Sequence, residues 1–250
     1  EGRHISVWQS HGRYFINKQN KWGWQRPSLF CTTEDQFTQS FVLPYLIPML
    51  ENAGANVYTP RERDIQKHEV VVDNDIKTNS LYIEEGARKQ RWERFNGPGF
   101  APSKTHYLDG ENPFLRGTSR FAPTKRTKDK AFAQWVPTIP ADGKYAVYVT
   151  YQTTPNSVSD AQYIVFHKGG ITEFSVNQKI GGGTWVYLGT FEFSKGNSPL
   201  GMVVLTNHSK ESGVVSADAV RFGGGMGNII RGGSPSGLPR YLEGARYSAQ

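Results

Sequence analysis

The sequence predicts an α/β layered domain, present in part, that is interrupted by an all-β sandwich module. Three observations lead there. Residues 4–64 read as strand, loop, helix and strand; short glycine-punctuated β-rich runs begin near Ser80; and helix-forming composition returns after the glycine-rich stretch at 223–237. The chain then divides into residues 1–77, the N-terminal part of the α/β domain, 78–228, the inserted sandwich, and 229–250, a linker and return to the α/β domain.

Residues 4–8 alternate in polarity as a short strand does and run into Ser10-His11-Gly12, a strand-to-loop exit. Thr32-Thr33-Glu34-Asp35 supplies capping side chains and first-turn carboxylates for a helix. Phe37, Phe41, Leu43, Leu46, Ile47 and Leu50 give that helix an apolar stripe, and Gly54 stands where a left-handed terminal residue belongs. Pro44 and Pro48 lie inside the stripe and predict a kink or break there. Residues 56–59 read as the next strand. Two strands and one and a half helices bury no core of their own, so the rest of this domain is expected on sequence beyond Gln250.

In the middle region, residues 145–151 alternate bulky with small or polar side chains. Residues 161–167 and 172–177 flank Lys168-Gly169-Gly170, a hairpin turn. Residues 184–193, 202–207 and 219–222 complete a set of short, regularly spaced strands, the pattern of a β-sandwich.

Of 250 residues, 20% are charged and 37% hydrophobic, which marks a folded chain and not a disordered one. A net charge of +7 is compatible with an anionic polymer as partner or with a solvated basic surface. The basic run at 125–130 has no aromatic interleaving and no nucleic-acid-binding signature accompanies it, so nucleic acid is not expected as a partner. Cys31 is alone, which rules out an intrachain disulfide and a cysteine-rich zinc knuckle. No apolar run is long enough to cross a bilayer as a helix.

His11 just beyond a strand and Glu34 in the first turn of a helix are of the types that bind zinc. On spacing alone, a loop histidine and a helix-dipole carboxylate are the favoured account of the two. Trp22, Trp24 and Trp92 lie in polar, loop-like surroundings and are the candidates for stacking on sugar rings, whereas Trp135 and Trp185 sit in strand patterns that point to the core. The glycines at 223–227 precede no Lys-Ser/Thr pair, which excludes a P-loop.

Two resemblances add to this reading. His11-Gly12, Glu34, the Leu50-Glu51-Asn52-Ala53-Gly54-Ala55 turn and the run from Val57 to Asp64 resemble the start of the type 3 zinc-dependent N-acetylmuramoyl-L-alanine amidases. That resemblance implies His11 and Glu34 as zinc ligands, with a further histidine and the catalytic glutamate beyond Gln250. The middle region, roughly 81–227, resembles the golvesin C-terminal or xanthan-lyase-associated, carbohydrate-binding-like module. Its motifs are Ala133-Gln134-Trp135-Val136-Pro137, Ala141-Asp142-Gly143-Lys144-Tyr145, His167-Lys168-Gly169-Gly170, Gly182-Gly183-Thr184-Trp185 and Ser216-Ala217-Asp218-Ala219-Val220-Arg221-Phe222.

Together the resemblances imply an exported protein, secreted, periplasmic or on the cell surface. The activity they imply is zinc-dependent amidase-like hydrolysis of peptidoglycan, lost in these 250 residues alone, with the β module as a glycan-binding part. The alternative is a non-catalytic cell-surface polysaccharide-binding protein. A polysaccharide lyase would need a Tyr/His/Arg constellation at a sugar cleft, and the sequence marks none.

Overall fold

A computed structural model describes residues 3–224 except 12, 20, 60–63, 65, 77, 88–90, 96, 102–111 and 127–130. The expected return segment 229–250 lies outside the described residues. The chain separates into two compact units, with the border of the described parts between Asp64 and Gln66.

In the N-terminal unit, β1 (Arg3–Ser6) pairs in parallel with β4 (Ala55–Tyr58). Between them β2 (Arg13–Ile16) and β3 (Lys21–Trp24) form an antiparallel hairpin. A helical run follows as α1 (Glu34–Phe41), a π-helical segment Val42–Leu46, and α2 (Ile47–Asn52). Pro44 lacks the amide hydrogen that a regular helix interior uses, and the widened π segment is centred on it. Pro48 sits in the first turn of α2, where its missing N–H costs nothing. Gly54 ends the run at φ 85°, and its N–H reaches the Glu51 carbonyl at 2.9 Å.

The other unit is all β. Its first strands are β5 (Glu69–Val72), β6 (Leu81–Gly86), β7 (Glu93–Arg94), β8 (Arg120–Pro123) and β9 (Ala131–Val136). Next come β10 (Thr138–Ile139), β11 (Gly143–Val149), β12 (Ala161–His167), β13 (Gly170–Val176) and β14 (Val186–Phe193). The last are β15 (Gly196–Asn197), β16 (Met202–Thr206), β17 (Val214–Ala217) and β18 (Val220–Gly223). One sheet has the order β14-β11-β18-β5, a second β13-β12-β16-β9-β6, and a smaller one β17-β8-β7. Neighbours within all three are antiparallel.

The core follows from period-2 alternation. Ala131, Ala133 and Trp135 of β9 and Ala161, Tyr163 and Val165 of β12 point inward from one sheet. Tyr145, Val147 and Val149 of β11, with Val220 and Phe222 of β18, belong to the same buried cluster from the other. Trp135 and Tyr163 stack at 6.4 Å between ring centres, and the Trp135 indole N–H donates to the Asp218 carbonyl at 2.9 Å. The β12–β13 hairpin turns at Lys168-Gly169, and His167 is satisfied there by Thr172 and by the Gly169 N–H.

The α/β layered domain expected as part of the fold class is corrected by these observations. Among the described residues strand (45%) far outweighs helix (12%), and α/β layering is absent. A layered domain needs a sheet whose face a helix covers. Here the parallel sheet has two strands, and most of the helical stripe stays at the surface: Phe37, Tyr45 and Met49 are 57%, 66% and 68% exposed. Only Val42 and Ile47 of the helical run's apolar residues are buried. The helix signal spans one proline-broken stretch, while alternating runs recur through the larger unit and decide the class.

Candidate functional site

In the N-terminal unit the structure brings His11 and Glu34 together. His11 Nδ1 lies 3.3 Å from Glu34 Oε1, and both side chains are partly exposed. Ser10 Oγ donates to the same carboxylate oxygen at 3.3 Å, and Arg26 Nε lies 3.8 Å from the other. Glu34 thus already has a hydroxyl, an imidazole and a guanidinium around it. A catalytic zinc takes three protein ligands, and among the described residues no cluster of three His, Cys, Asp or Glu side chains is placed to hold a metal. The pair is therefore two donors short of a closed site and one short of a catalytic one, and no chemical step is built on it.

The tryptophans fall in three different settings. Trp22 belongs to β3, but its side chain lies outside the described residues. Trp24 ends β3 half-buried. Trp92 is buried within the sandwich cluster, 6% exposed, and its indole N–H donates to the Phe132 carbonyl at 3.0 Å. Its indole serves the core. Trp135 is fully buried, and Trp185 packs on Phe100 and Phe114 with the Arg221 guanidinium 5.5 Å from its ring. Arg221 also lies 4.2 Å over Tyr148, so it is spent on aromatic faces inside the unit.

The β unit carries two adjoining hollows that the sequence reading did not single out. The first, of about 430 Å³, is walled by Tyr82 and Glu84 of β6, Arg94 of β7, Arg120 of β8, and by Asn74, Asp75 and Thr118 from the loops beside them. Alternation along β6 puts Tyr82 and Glu84 on one face, while Leu81 and Ile83 point to solvent. Pairing of Arg94 with Arg120 across β7 and β8 fixes both arginines at the same level.

Most polar groups of this hollow are already committed. Arg120 grips Glu84 through both guanidinium arms, Nη2 to Oε2 at 2.8 Å, and Tyr82 donates its hydroxyl to Glu84 at 2.9 Å. The Glu84 hydrogen bond holds the Arg120 pKa above its ordinary value. Burial, then the neighbouring Glu84 carboxylate, pushes the Tyr82 phenol well up, so it stays a donor. Asp75 accepts both the Thr118 N–H and, at 2.6 Å, the Thr118 hydroxyl.

The second hollow, of about 590 Å³, is bounded by Arg94, Phe95, Gly97, Pro98, Leu115, Arg116, Gly117 and Thr118. Its floor is a backbone bridge in which Gly99 and Gly117 exchange hydrogen bonds of 2.9 and 2.8 Å. A Cβ at Gly117 would stand 2.0 Å from the Phe100 carbonyl oxygen, so only glycine lets the two chains close. Phe95 packs on Phe121 at 4.6 Å, and its ring occupies the space a Cβ at Gly97 would take. A 3₁₀ turn at Pro113–Leu115, capped by the Asn112 side chain on the Phe114 N–H, buries Phe114 and leaves Leu115 64% exposed at the rim. Polar groups beside small apolar walls, open to solvent, can hold a hydrated polar ligand by hydrogen bonds and ring contacts.

Comparison with known proteins points to the same unit. Residues 115–224 match the family model of the Golvesin C-terminal domain, which covers β8 to β18. Over 100 residues the chain is 38% identical to a xanthan lyase of Bacillus sp. (strain GL1), a match covering 39% of this chain and 10% of that protein. The chain thus spans about a tenth of the curated relative it matches. A Paenibacillus xanthan lyase structure aligns with 62% of this chain and 13% of its own, at 24% identity and a TM-score of 0.47. A family 35 carbohydrate-binding module from Clostridium thermocellum aligns with 62% of this chain and 97% of its own, at 14% identity and a TM-score of 0.35. At TM-scores below 0.5 these structural likenesses define no shared fold.

Proposed function

We propose that the β unit is a polysaccharide-binding module, with its binding face at the two hollows beside β6, β7 and β8. The observation that carries this is the open groove in which arginines, hydroxyls and carboxylates stand beside Phe95 and Leu115. Sugars offer hydroxyls for directed hydrogen bonds and C–H faces for apolar contact, and this wall offers partners for both. The match of residues 115–224 to the Golvesin C-terminal domain, and of part of the chain to a xanthan lyase, supports a setting on polysaccharide. An exported location goes with that substrate; among the described residues no helix is long and apolar enough to cross a membrane.

The test is affinity electrophoresis of the full chain in gels containing soluble polysaccharides of different backbones, beside a pull-down on purified peptidoglycan. Retardation by at least one glycan that Arg120→Ala weakens supports the reading. Unretarded migration in every gel and no pull-down would sink it.

A second reading concerns the N-terminal unit, where His11 and Glu34 stand 3.3 Å apart, close enough to serve one metal ion together. In that reading zinc binds these two side chains and draws its other protein ligand from elsewhere. Calorimetric titration of the full chain with zinc, against His11→Ala, decides it. A heat signal present in the parent and absent in the variant supports the metal, and equal signals remove it.

A further inference from the structure

Independently of the polysaccharide-binding reading, we propose that the outer face of the five-stranded sheet is the docking surface for a second copy of this chain. Alternation along its strands sends Tyr163, Val165, Val203, Leu205, Ala133 and Trp135 into the core, so the residues between them look outward. The register sets those outward side chains in rows. In one row Ile171 opposes Phe166, Phe166 opposes Met202, and Val136 opposes Leu81. Pairing of Val203 with Trp135 brings Met202 beside Val136, which closes the row across all five strands. In the next row Ile164 opposes Val204 and Gln134 opposes Ile83, with Glu173 at the β13 end. The solvent side of an antiparallel sheet ordinarily alternates to polar residues. Here Gln134 and Glu173 are the polar members of the two rows, and the rest is apolar. Ile171 and Leu81, at opposite edges, are 61% and 49% exposed, and Ile83 is 38% exposed. A contiguous apolar patch of this kind marks an interaction site.

The extent and chemistry of the face select its occupant. Strands about 4.8 Å apart make a five-stranded face about 20–24 Å wide. A helix, about 10 Å across, would cover half of it and leave one exposed edge bare. A sugar chain would leave its hydroxyls unmatched over both rows. A second flat apolar sheet covers the whole, since sheets pack face to face about 10 Å apart with their side chains interleaved. This chain carries such a sheet, and a twofold pair makes the patch its own complement. Three rows of side chains along the strands give on the order of 500 Å² per copy, or about 1,000 Å² for the pair, the size at which specific but reversible interfaces begin. Charge permits the pairing. Each copy carries a net +7, yet no Lys or Arg stands at an outward position of these five strands, so the excess charge lies away from the contact.

The experiment is sedimentation velocity of the full chain at near-physiological salt, over about 1–200 μM, the range in which an interface of this size assembles. The mass is expected to rise with concentration from 28.0 kDa toward twice that value. Leu81→Lys and Ile171→Lys should each weaken the dimer at least about a hundredfold, because a twofold contact carries every substitution twice, at about tenfold per copy. Both positions are exposed in the single chain, so circular dichroism and melting temperature should stay near those of the parent. Should one lysine unsettle the fold, the other, at the far edge of the sheet, still gives the reading. Met49→Lys, on the exposed helical stripe of the N-terminal unit, should leave the dimer intact. A chain that remains at 28.0 kDa throughout overturns the proposal. So does a dimer that both sheet variants leave unchanged, or one that Met49→Lys dissolves.

Discussion

The Asp218 carboxylate accepts the Phe100 backbone N–H with both oxygens, at 2.9 and 3.2 Å. The two residues are 118 positions apart, and the bond anchors the segment that bridges to Gly117 onto the entry of β18. Asp218 is fully buried, and burial followed by the nearby Asp73 charge pushes its pKa well above the ordinary carboxylate range. An amide therefore serves nearly as well as the acid. Asp218→Asn should leave stability within about 1 kcal/mol of the parent, whereas Asp218→Ala should cost about 1–3 kcal/mol by orphaning the Phe100 N–H. Chemical denaturation of both variants checks it, and equal losses would show that the acceptor is not what matters.

A pH dependence follows from Asp73. Its Oδ1 accepts the Asp75 N–H at 2.8 Å, and burial raises its pKa from 3.8 to about 7. A carboxyl whose folded pKa is raised gives its full contribution below the unfolded value and loses it as pH rises through the folded one. Stability of the β unit from this group should then fall between about pH 4 and 7, by a few kcal/mol at most. Glu211 acts in the opposite sense: hydrogen bonds from Lys179 and Ser159 lower its pKa to about 2, so its contribution is lost only as pH falls from 4.5 toward 2. The expected optimum lies on the acid side of neutrality. Urea midpoints from pH 4 to 8 should decline for the parent and decline less steeply for Asp73→Asn, because the buried Asp218, also raised, contributes a decline of the same sign; parallel curves would refute the assignment.

Gly117→Ala should damage the groove more than its size suggests. The new methyl group would meet the Phe100 carbonyl oxygen and then, at 2.9 Å, the Asp75 carboxylate, neither of which can swing away freely. Overpacking of this kind costs about 1–3 kcal/mol, and it should also widen the Gly99–Gly117 bridge that floors the second hollow. The measurement is melting temperature together with glycan retardation. Loss of both is expected; loss of neither would mean the floor is pliable.

How much of this was legible differs between the two units. Of the sandwich strands, β11, β12, β13, β14, β16 and β18 were legible, because alternation along β11 and β12 is regular and glycines mark the turns, whereas β9, β10, β15 and β17 were not named as strands. Trp135 still read as core, from the strand-like pattern around it. Trp92 did not, since its charged neighbours suggested a loop, and only the fold shows its ring under β9 with its N–H on Phe132. The run Glu69–Val72 also escaped notice: four residues carry too little periodicity, and its identity as a strand comes from pairing with β18 about 150 residues later. Pro44 in the helical stripe was legible, but its outcome as a π segment was not. The groove was illegible for a general reason. Arg94, Arg120 and Glu84 come from three separate strands, each an ordinary surface charge in sequence, and they become a site only through antiparallel pairing.

The Glu84–Arg120 pair gives the last prediction, because it ties stability to the groove. Both side chains are 23% exposed, Arg120 engages the carboxylate through two nitrogens, and its Nη2 also reaches the Trp92 carbonyl at 3.3 Å. Removing one member leaves the other partly buried and uncompensated, which costs more than the pair contributes. Arg120→Ala should therefore destabilise by about 1–3 kcal/mol, Glu84→Ala by a comparable amount, and the double variant by clearly less than the sum. The Tyr82 hydroxyl, which loses its acceptor when Glu84 is removed, should make Glu84→Ala the costlier of the two. A double-mutant cycle by denaturant titration measures the coupling. Strict additivity would mean that the ion pair is solvent-screened and that Arg120 is held in the groove wall by its stem and by Trp92 alone.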